Sequence, residues 1–84
     1  MNAYLGQIDL LAFDYAPPGW MICAGQILPI EEPYTALYSL LGTSYGGNGR
    51  NSFGIPDLRG KEPRQGPYYC IRVLPEEGNY PLRS

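Results

Sequence analysis

The chain is organised around residues 41–60, which read Leu41-Gly-Thr-Ser-Tyr-Gly-Gly-Asn-Gly-Arg-Asn-Ser-Phe-Gly-Ile-Pro-Asp-Leu-Arg-Gly60. This stretch holds six of the 11 glycines of the chain. A loop of this length without regular structure is uncommon in a compact domain, and is usually either functional or disordered. Apolar side chains recur along it and are expected to anchor it: Tyr45, Phe53, Ile55 and Leu58. We therefore predict an ordered loop.

The second half of the loop carries the residues that would hold its shape. Pro56 favours an extended conformation at the residue before it. Asp57 is expected to accept backbone N–H groups from residues 59 and 60, as in an Asx turn. Arg59 is expected to reach carbonyl groups of the loop or a carboxylate. We interpret Asp57 and Arg59 as structural locks, and Arg50 at the loop tip as the first candidate for contact with a partner.

Three other segments predict β-strands. Tyr4–Phe13 alternates apolar and polar side chains, with a slip at residues 10–12 that a bulge or burial on both faces would explain. Trp20–Ile30 predicts a second strand pair or a bent hairpin that turns at Gly25-Gln26, with Trp20 as a core anchor. Tyr68–Leu74 alternates clearly and predicts the last strand.

One helix is predicted, over residues 31–41. Its apolar side chains fall at helical spacing: Ile30, Tyr34, Leu37, Tyr38 and Leu41. Glu31 and Glu32 are expected in its first turn with Pro33, and Gly42 just beyond its end. The chain therefore predicts a small single α+β domain, mostly short strands and ordered Gly-rich loops, with one helix packed on a sheet. We assign residues 1–75 to this domain and residues 76–84 to a C-terminal tail.

The composition favours a domain covered by partners. The 84 residues allow one domain, with six basic and eight acidic side chains and a net charge of -2. Charged residues make up only 17%, and there are eight tyrosines, a residue enriched at interfaces. No Lys/Arg cluster suggests nucleic-acid binding, no apolar run is long enough to span a bilayer, and the apolar start lacks the basic region of a signal peptide. We therefore expect synthesis in the bacterial cytoplasm.

The residues needed for most catalytic sites are missing. The chain contains no histidine, which removes the usual general base, zinc ligand and Ser-His pair. The two cysteines and the aspartates are too widely spaced for a metal site. The glycine loop lacks the Gly-Lys-Ser/Thr of a P-loop. We predict no enzymatic activity, no catalytic residue, no metal and no cofactor.

Several motifs together resemble the phage tail collar domain family, which includes the collars of short tail fibres and the microcystin-dependent proteins. The resemblance is carried along nearly the whole chain by Leu5-Gly-Gln-Ile8, Phe13, Ala16-Pro-Pro-Gly-Trp20, residues 23–30 and 34–42, Tyr45-Gly-Gly-Asn-Gly-Arg50, Phe53-Gly-Ile-Pro-Asp-Leu-Arg-Gly60 and Tyr69-Cys-Ile71. Its structural motif corresponds here to Trp20, Phe53, Pro56, Asp57, Leu58, Arg59 and Gly60. The resemblance implies a structural role in a tail fibre and a homotrimer.

The chain departs from the family pattern between its last two motifs. Where members carry a long variable insert, only the short segment of residues 61–69 is present. That insert is where receptor specificity would be expected. With only the short segment in its place, the chain keeps the scaffold of the family without that specificity region. The resemblance also places the first and last strands in one sheet, where Cys23 and Cys70 would be adjacent. We expect two buried free thiols, with a disulfide as the alternative.

These observations lead to two hypotheses. The first is a non-enzymatic structural component of a phage tail or a phage-derived contractile injection particle, acting as a collar, adaptor or baseplate module that contacts other tail proteins. The second is an adhesin module that binds host surface glycans. The candidate contact residues in both cases are Tyr45, Asn48, Arg50 and Asn51, and the expected location is the virion tail or an extracellular phage-like particle.

Overall fold

The computed structural model describes residues 4–11, 15–63 and 67–75. These residues form one helix and five short strands: β1 (Ile8–Leu11), β2 (Trp20–Ile22), β3 (Ile27–Pro29), α1 (Thr35–Leu41), β4 (Ser52–Gly54) and β5 (Tyr68–Arg72). The prediction of a small α+β domain is confirmed. Phe13, at the end of the predicted first strand, and the predicted tail at residues 76–84 lie outside the described residues.

The strands form two antiparallel sheets. β5 is the central strand of the larger sheet, in the order β1-β5-β2, with Ile8 opposite Ile71 and Trp20 opposite Arg72. Its second half is buried on both faces, through Cys70, Ile71 and Arg72. The first strand is shorter than predicted, since residues 4–7 form a turn in which the Gln7 N–H donates to the Tyr4 carbonyl.

The predicted hairpin over residues 20–30 is wrong. β2 pairs with β5, whereas β3 pairs with β4 in a separate two-stranded sheet in which Leu28 lies opposite Phe53. Between them, Ala24 forms an isolated bridge with Asp57. The segment after β2 therefore pairs with the end of the glycine loop, and its hydrogen bonds are made with distant residues instead of across a local turn.

The helix begins later than predicted. Helix α1 starts at Thr35, and residues 31–34 form a turn in which the Tyr34 N–H donates to the Glu31 carbonyl at 2.8 Å. Pro33 explains the difference, because a proline disfavours helical geometry at the residue before it. Glu31 and Glu32 therefore lie outside the first helical turn. The end is as predicted, since the Gly42 N–H donates to the Tyr38 carbonyl at 2.7 Å.

A single core joins the helix, both sheets and the glycine loop. It consists of Leu5, Cys23, Leu28, Leu37, Phe53, Ile55, Ile71 and Val73. Leu37 is the buried residue of α1, and Tyr38 packs its ring 5.4 Å from that of Phe53. Of the predicted loop anchors, Phe53 and Ile55 are fully buried and Leu58 is half-buried.

Two of the predicted anchors are not part of the buried core. Tyr45 is 51% exposed, so it does not anchor the loop. Trp20 is half-buried on β2 and lies outside the core cluster, where its ring faces the guanidinium of Arg72 at 5.9 Å. Its place opposite Arg72 in the sheet register accounts for this, because directly paired residues in an antiparallel sheet project from the same face.

Candidate functional site

The candidate site is the tip of the glycine loop, residues 45–52, called the tip loop below. Its shape depends on the side chain of Asn48. The Asn48 Oδ1 atom accepts hydrogen bonds from the backbone N–H groups of Arg50, Asn51 and Ser52, at 2.8, 3.0 and 3.2 Å. Its Nδ2 atom donates to Oδ1 of Asn51 at 3.0 Å. One side chain thus satisfies three consecutive backbone donors that no strand or helix would pair.

The tip loop is also held against the sheet beneath it. A methyl group placed on Gly47 would lie 2.3 Å from the Cα atom of Phe53, and Gly47 has a φ of 88°, so this position requires glycine. The Gly49 N–H donates to the Ser52 carbonyl at 3.0 Å, and the Tyr38 hydroxyl approaches the Gly49 carbonyl at 3.4 Å. The glycine loop is therefore ordered as predicted, but it is not free of regular structure as expected, because Ser52–Gly54 forms strand β4 within it.

The tip loop displays one cation beside an apolar surface. Arg50 is exposed, and its side chain forms no ion pair with any residue in the part of the chain that the structure describes. Ile27 on β3 is 57% exposed, and its Cδ1 atom would lie 3.5 Å from a methyl group placed on Gly46, the neighbour of Tyr45. Ile27 therefore lies against the backbone next to Tyr45, and these two exposed side chains are together called the Ile27–Tyr45 face below.

The predicted contact residues differ in what they present. Arg50 and Tyr45 are exposed and keep their polar tips available for a partner. Asn48 uses both polar atoms of its side chain within the loop, and Asn51 uses its Oδ1 there. Ile27 is a site residue that the sequence does not single out: the pattern in which Leu28 is buried and both its neighbours on β3 are exposed is visible only in the folded chain.

The Asp-Leu-Arg motif forms the predicted lock. Asp57 Oδ1 accepts from the backbone N–H of Arg59 at 3.2 Å and from its Nε at 2.9 Å, and Oδ2 accepts from Nη2 at 2.7 Å. The Arg59 side chain thereby lowers the pKa of the Asp57 carboxyl to about 2. The N–H of Gly60 instead donates to Glu62, so the second predicted donor to Asp57 is wrong. Both charged side chains are exposed.

Backbone pairing fixes this motif to the first half of the chain. The Leu58 N–H donates to the Cys23 carbonyl at 2.9 Å, and the Gly25 N–H donates to the Pro56 carbonyl at 3.1 Å. Pro56 is buried, whereas Gly60 is exposed at the following turn. The motif therefore closes the glycine loop onto the segment that follows β2.

The two cysteines are buried free thiols, as expected. Ile22, the residue before Cys23, is the one that lies opposite Cys70 in the sheet register. Burial raises the pKa of Cys23 to about 11, with a smaller effect from Cys70, and burial also raises the pKa of the Cys70 thiol. Both groups are therefore neutral at ordinary pH and pack as small hydrophobic side chains.

Neither a metal site nor a membrane span is found in the described ranges. No group of three or more acidic, cysteine or histidine side chains gathers among residues 4–11, 15–63 and 67–75. No helix within those ranges is long and apolar enough to cross a bilayer.

Comparison with known proteins identifies the family. No curated protein and no solved structure matches the chain. The family model described as the phage tail collar domain matches residues 6–63, which is more than half of the chain and includes strands β1 to β4, helix α1 and the whole glycine loop, but not β5. The chain therefore belongs to the phage tail collar domain family, a family of structural modules of phage tail fibres.

Proposed function

We propose that this chain is a non-enzymatic structural component of a phage tail or phage-derived contractile injection particle. It acts there as a collar, adaptor or baseplate module held between other tail proteins. The observation that carries the proposal is the Ile27–Tyr45 face, an exposed apolar surface next to a rigid loop in a lightly charged chain. In a chain with few charged side chains, exposed apolar side chains beside a rigid loop are a candidate surface for contact with another protein.

The rigidity of the tip loop supports this role. Because Asn48 fixes the backbone of residues 50–52, the Arg50 side chain is presented from a backbone that needs no further ordering on binding. Tyrosine and arginine are the side chains enriched at the centres of protein interfaces. A partner would bury Ile27 and Tyr45 and pair with the Arg50 guanidinium.

The test is incorporation into particles. In a strain that assembles them, Ile27→Asp places a charge on the Ile27–Tyr45 face, and the copies of the chain per purified particle are counted by mass spectrometry. Burying one isoleucine contributes about 1.5–3 kcal/mol, so we expect roughly a tenfold fall or more in copies per particle. The matched control is Ile8→Asp, an exposed isoleucine of the other sheet. Equal incorporation of the two variants would count against docking through this face.

A second candidate function is recognition of host surface glycans. It is favoured by the exposed Arg50 guanidinium and the exposed Tyr45 ring, which together offer hydrogen-bond donors and an aromatic surface for a sugar. Arg50→Ala and Tyr45→Ala are then expected to lose binding on an array of bacterial surface glycans, with Tyr68→Ala as an exposed tyrosine control. Unchanged binding in both variants would remove this candidate.

The quaternary structure and location follow from the same proposal. The collar family suggests a homotrimer, and light scattering on a size-exclusion column at several concentrations would measure its mass. We place the chain in the virion tail or an extracellular phage-like particle after synthesis in the bacterial cytoplasm. Residues 1–75 would form the collar-like domain and residues 76–84 a tail.

A further inference from the structure

The most unusual charged group outside the tip loop is Arg72, at the end of β5. Only 9% of its surface is exposed, and it is the one charged residue among the described positions that is buried. Its guanidinium forms no ion pair there, since the single pair in the described chain joins Arg59 and Asp57. A buried charge without an opposite charge is costly, and proteins rarely retain one.

The polar contacts of Arg72 leave most of its donors unused. A guanidinium has about five N–H donors, and one hydrogen bond is made, from Nη1 to the Pro18 carbonyl at 3.2 Å. Nε is fully buried and has no partner. Nη2 donates no hydrogen bond within the described chain and is not among its fully buried unpartnered atoms, so it keeps access to solvent.

The surrounding chain holds the planar guanidinium fork of Arg72 in place. Residues 18–20 lie against the guanidinium, and a methyl group placed on Gly19 would lie 2.5 Å from Nη1 and 2.7 Å from Cζ. The Gly19 carbonyl accepts hydrogen bonds from the Val73 and Leu74 N–H groups at 2.8 and 3.2 Å. The ring of Trp20 lies 5.9 Å from the guanidinium carbon. The fork is therefore fixed in position before any ligand arrives.

We propose that Arg72 is a binding site for a carboxylate group supplied by a protein partner. Nη2, which keeps access to solvent, and the remaining N–H of Nη1 would donate to the two oxygens of a carboxylate, which would neutralise the charge. A protein is favoured over a small metabolite because the half-buried Trp20 lies beside Arg72 and the exposed Tyr15 lies in the segment just before β2. Arginine, tryptophan and tyrosine are the residues that dominate protein-binding hot spots. The choice of a tail protein as source rests on the proposed function.

The chemistry is tested on the isolated chain with sodium acetate as the probe. Trp20 is the only tryptophan, so its fluorescence reports on this site, and the Nε–H resonance of Arg72 gives a second signal. At constant ionic strength set with sodium chloride, acetate is expected to give a saturable change in both signals. Arg72→Gln should weaken the acetate affinity by roughly tenfold or more, as expected for loss of a charge-assisted bidentate pair. Arg59→Gln is the matched control at an exposed arginine and should leave the affinity unchanged.

The Arg72→Lys variant and a chloride control provide further tests of the carboxylate site. Arg72→Lys keeps the charge but loses the planar fork, and should also bind acetate more weakly while its circular dichroism shows an intact fold. If acetate gives no saturable change, if chloride gives the same change, or if Arg72→Lys binds as well as the parent, Arg72 serves only as an internal tie between β5 and residues 18–20.

The source of the carboxylate is tested by comparing a short Gly-Asp peptide with glucuronate. Tighter binding of glucuronate would overturn the assignment to a protein partner. These measurements are independent of particle assembly. Acetate binding that survives while the chain is absent from particles would refute the proposed function and leave the carboxylate site standing.

Discussion

The Asn48→Ala substitution tests whether one side chain holds the tip loop. The variant removes the acceptor of three backbone hydrogen bonds, from the N–H groups of Arg50, Asn51 and Ser52. A neutral hydrogen bond contributes about 0.5–1.5 kcal/mol net. Because the tip is exposed, water recovers part of this, and we expect a loss of about 1–2 kcal/mol for the three bonds together. That is a sizeable fraction of the stability of a small domain.

Urea denaturation measures this loss directly. Unfolding is followed by circular dichroism and by the fluorescence of Trp20, which is remote in sequence from the tip, and the free energy of unfolding is extrapolated linearly to water. Two matched variants separate the contributions. Asn48→Asp keeps an acceptor oxygen at the same position and should lose less than Asn48→Ala at pH 7. Asn51→Ala removes the side-chain bond from Asn48 Nδ2 and leaves the three backbone bonds in place.

The role assigned to Asn48 is refuted if the free energy of unfolding of Asn48→Ala lies within about 0.3 kcal/mol of the parent value. Such a difference is smaller than the contribution of one hydrogen bond. It is also refuted if Asn48→Asp and Asn48→Ala lose equal stability, because the acceptor oxygen would then have no effect. By contrast, Arg50→Ala should leave the free energy of unfolding unchanged, because the exposed Arg50 side chain makes no bond within the described loop.

Three further predictions follow from the geometry. Gly47→Ala should destabilise the chain by roughly 2 kcal/mol more than Gly60→Ala in thermal unfolding. Both positions have positive φ, but only a methyl group on Gly47 would meet the backbone of β4. Equal losses of stability would contradict this close approach. Arg59→Gln should raise the pKa of Asp57 from about 2 towards its ordinary value of 3.8 in an NMR titration. Since folding lowers this pKa, the stabilising effect of the pair is present above pH 3.8 and is lost as the pH falls towards 2, and an unchanged Asp57 pKa would refute the pairing. The Cys23 thiol, whose pKa is about 11, should resist alkylation at pH 8 until urea unfolds the chain. Mass mapping of the alkylated peptides measures this. Rapid modification of the native state would contradict the burial of Cys23.

Local chemistry was sufficient to predict some elements. The end of α1 at Gly42 and the burial of Phe53 and Ile55 follow from residue type and spacing alone. The start of α1 was misplaced because the helical spacing of the apolar residues outweighed the effect of Pro33 on the residue before it. The same effect, given full weight, would have excluded Glu31 and Glu32 from the helix.

Pairings between distant segments could not be predicted from the sequence. β3 reads as the return strand of a local hairpin, and only the folded chain shows that it pairs with β4. Arg72 reads as one of several residues on an alternating face, yet in the folded chain it is buried against residues 18–20 of a distant segment. Ile27 is likewise identified as exposed only once its sheet is known.

The candidate site was located by sequence, but the roles within it were not. The glycines and Asn48 mark a tight loop, and Asn48 was predicted as a partner contact. The structure shows that its side chain is already fully engaged with the backbone around it. Which backbone donors a side chain will satisfy depends on the fold of the loop, and residue type does not specify this.

We propose that this chain is a built-in structural part of a phage tail or related particle. The most direct test is to count its copies by quantitative mass spectrometry in particles purified from the producing strain and washed in high salt, with tail and capsid proteins as internal standards. We expect a fixed, stoichiometric number of copies that survives the wash. A chain that is abundant in the lysate but absent from the washed particles would contradict it.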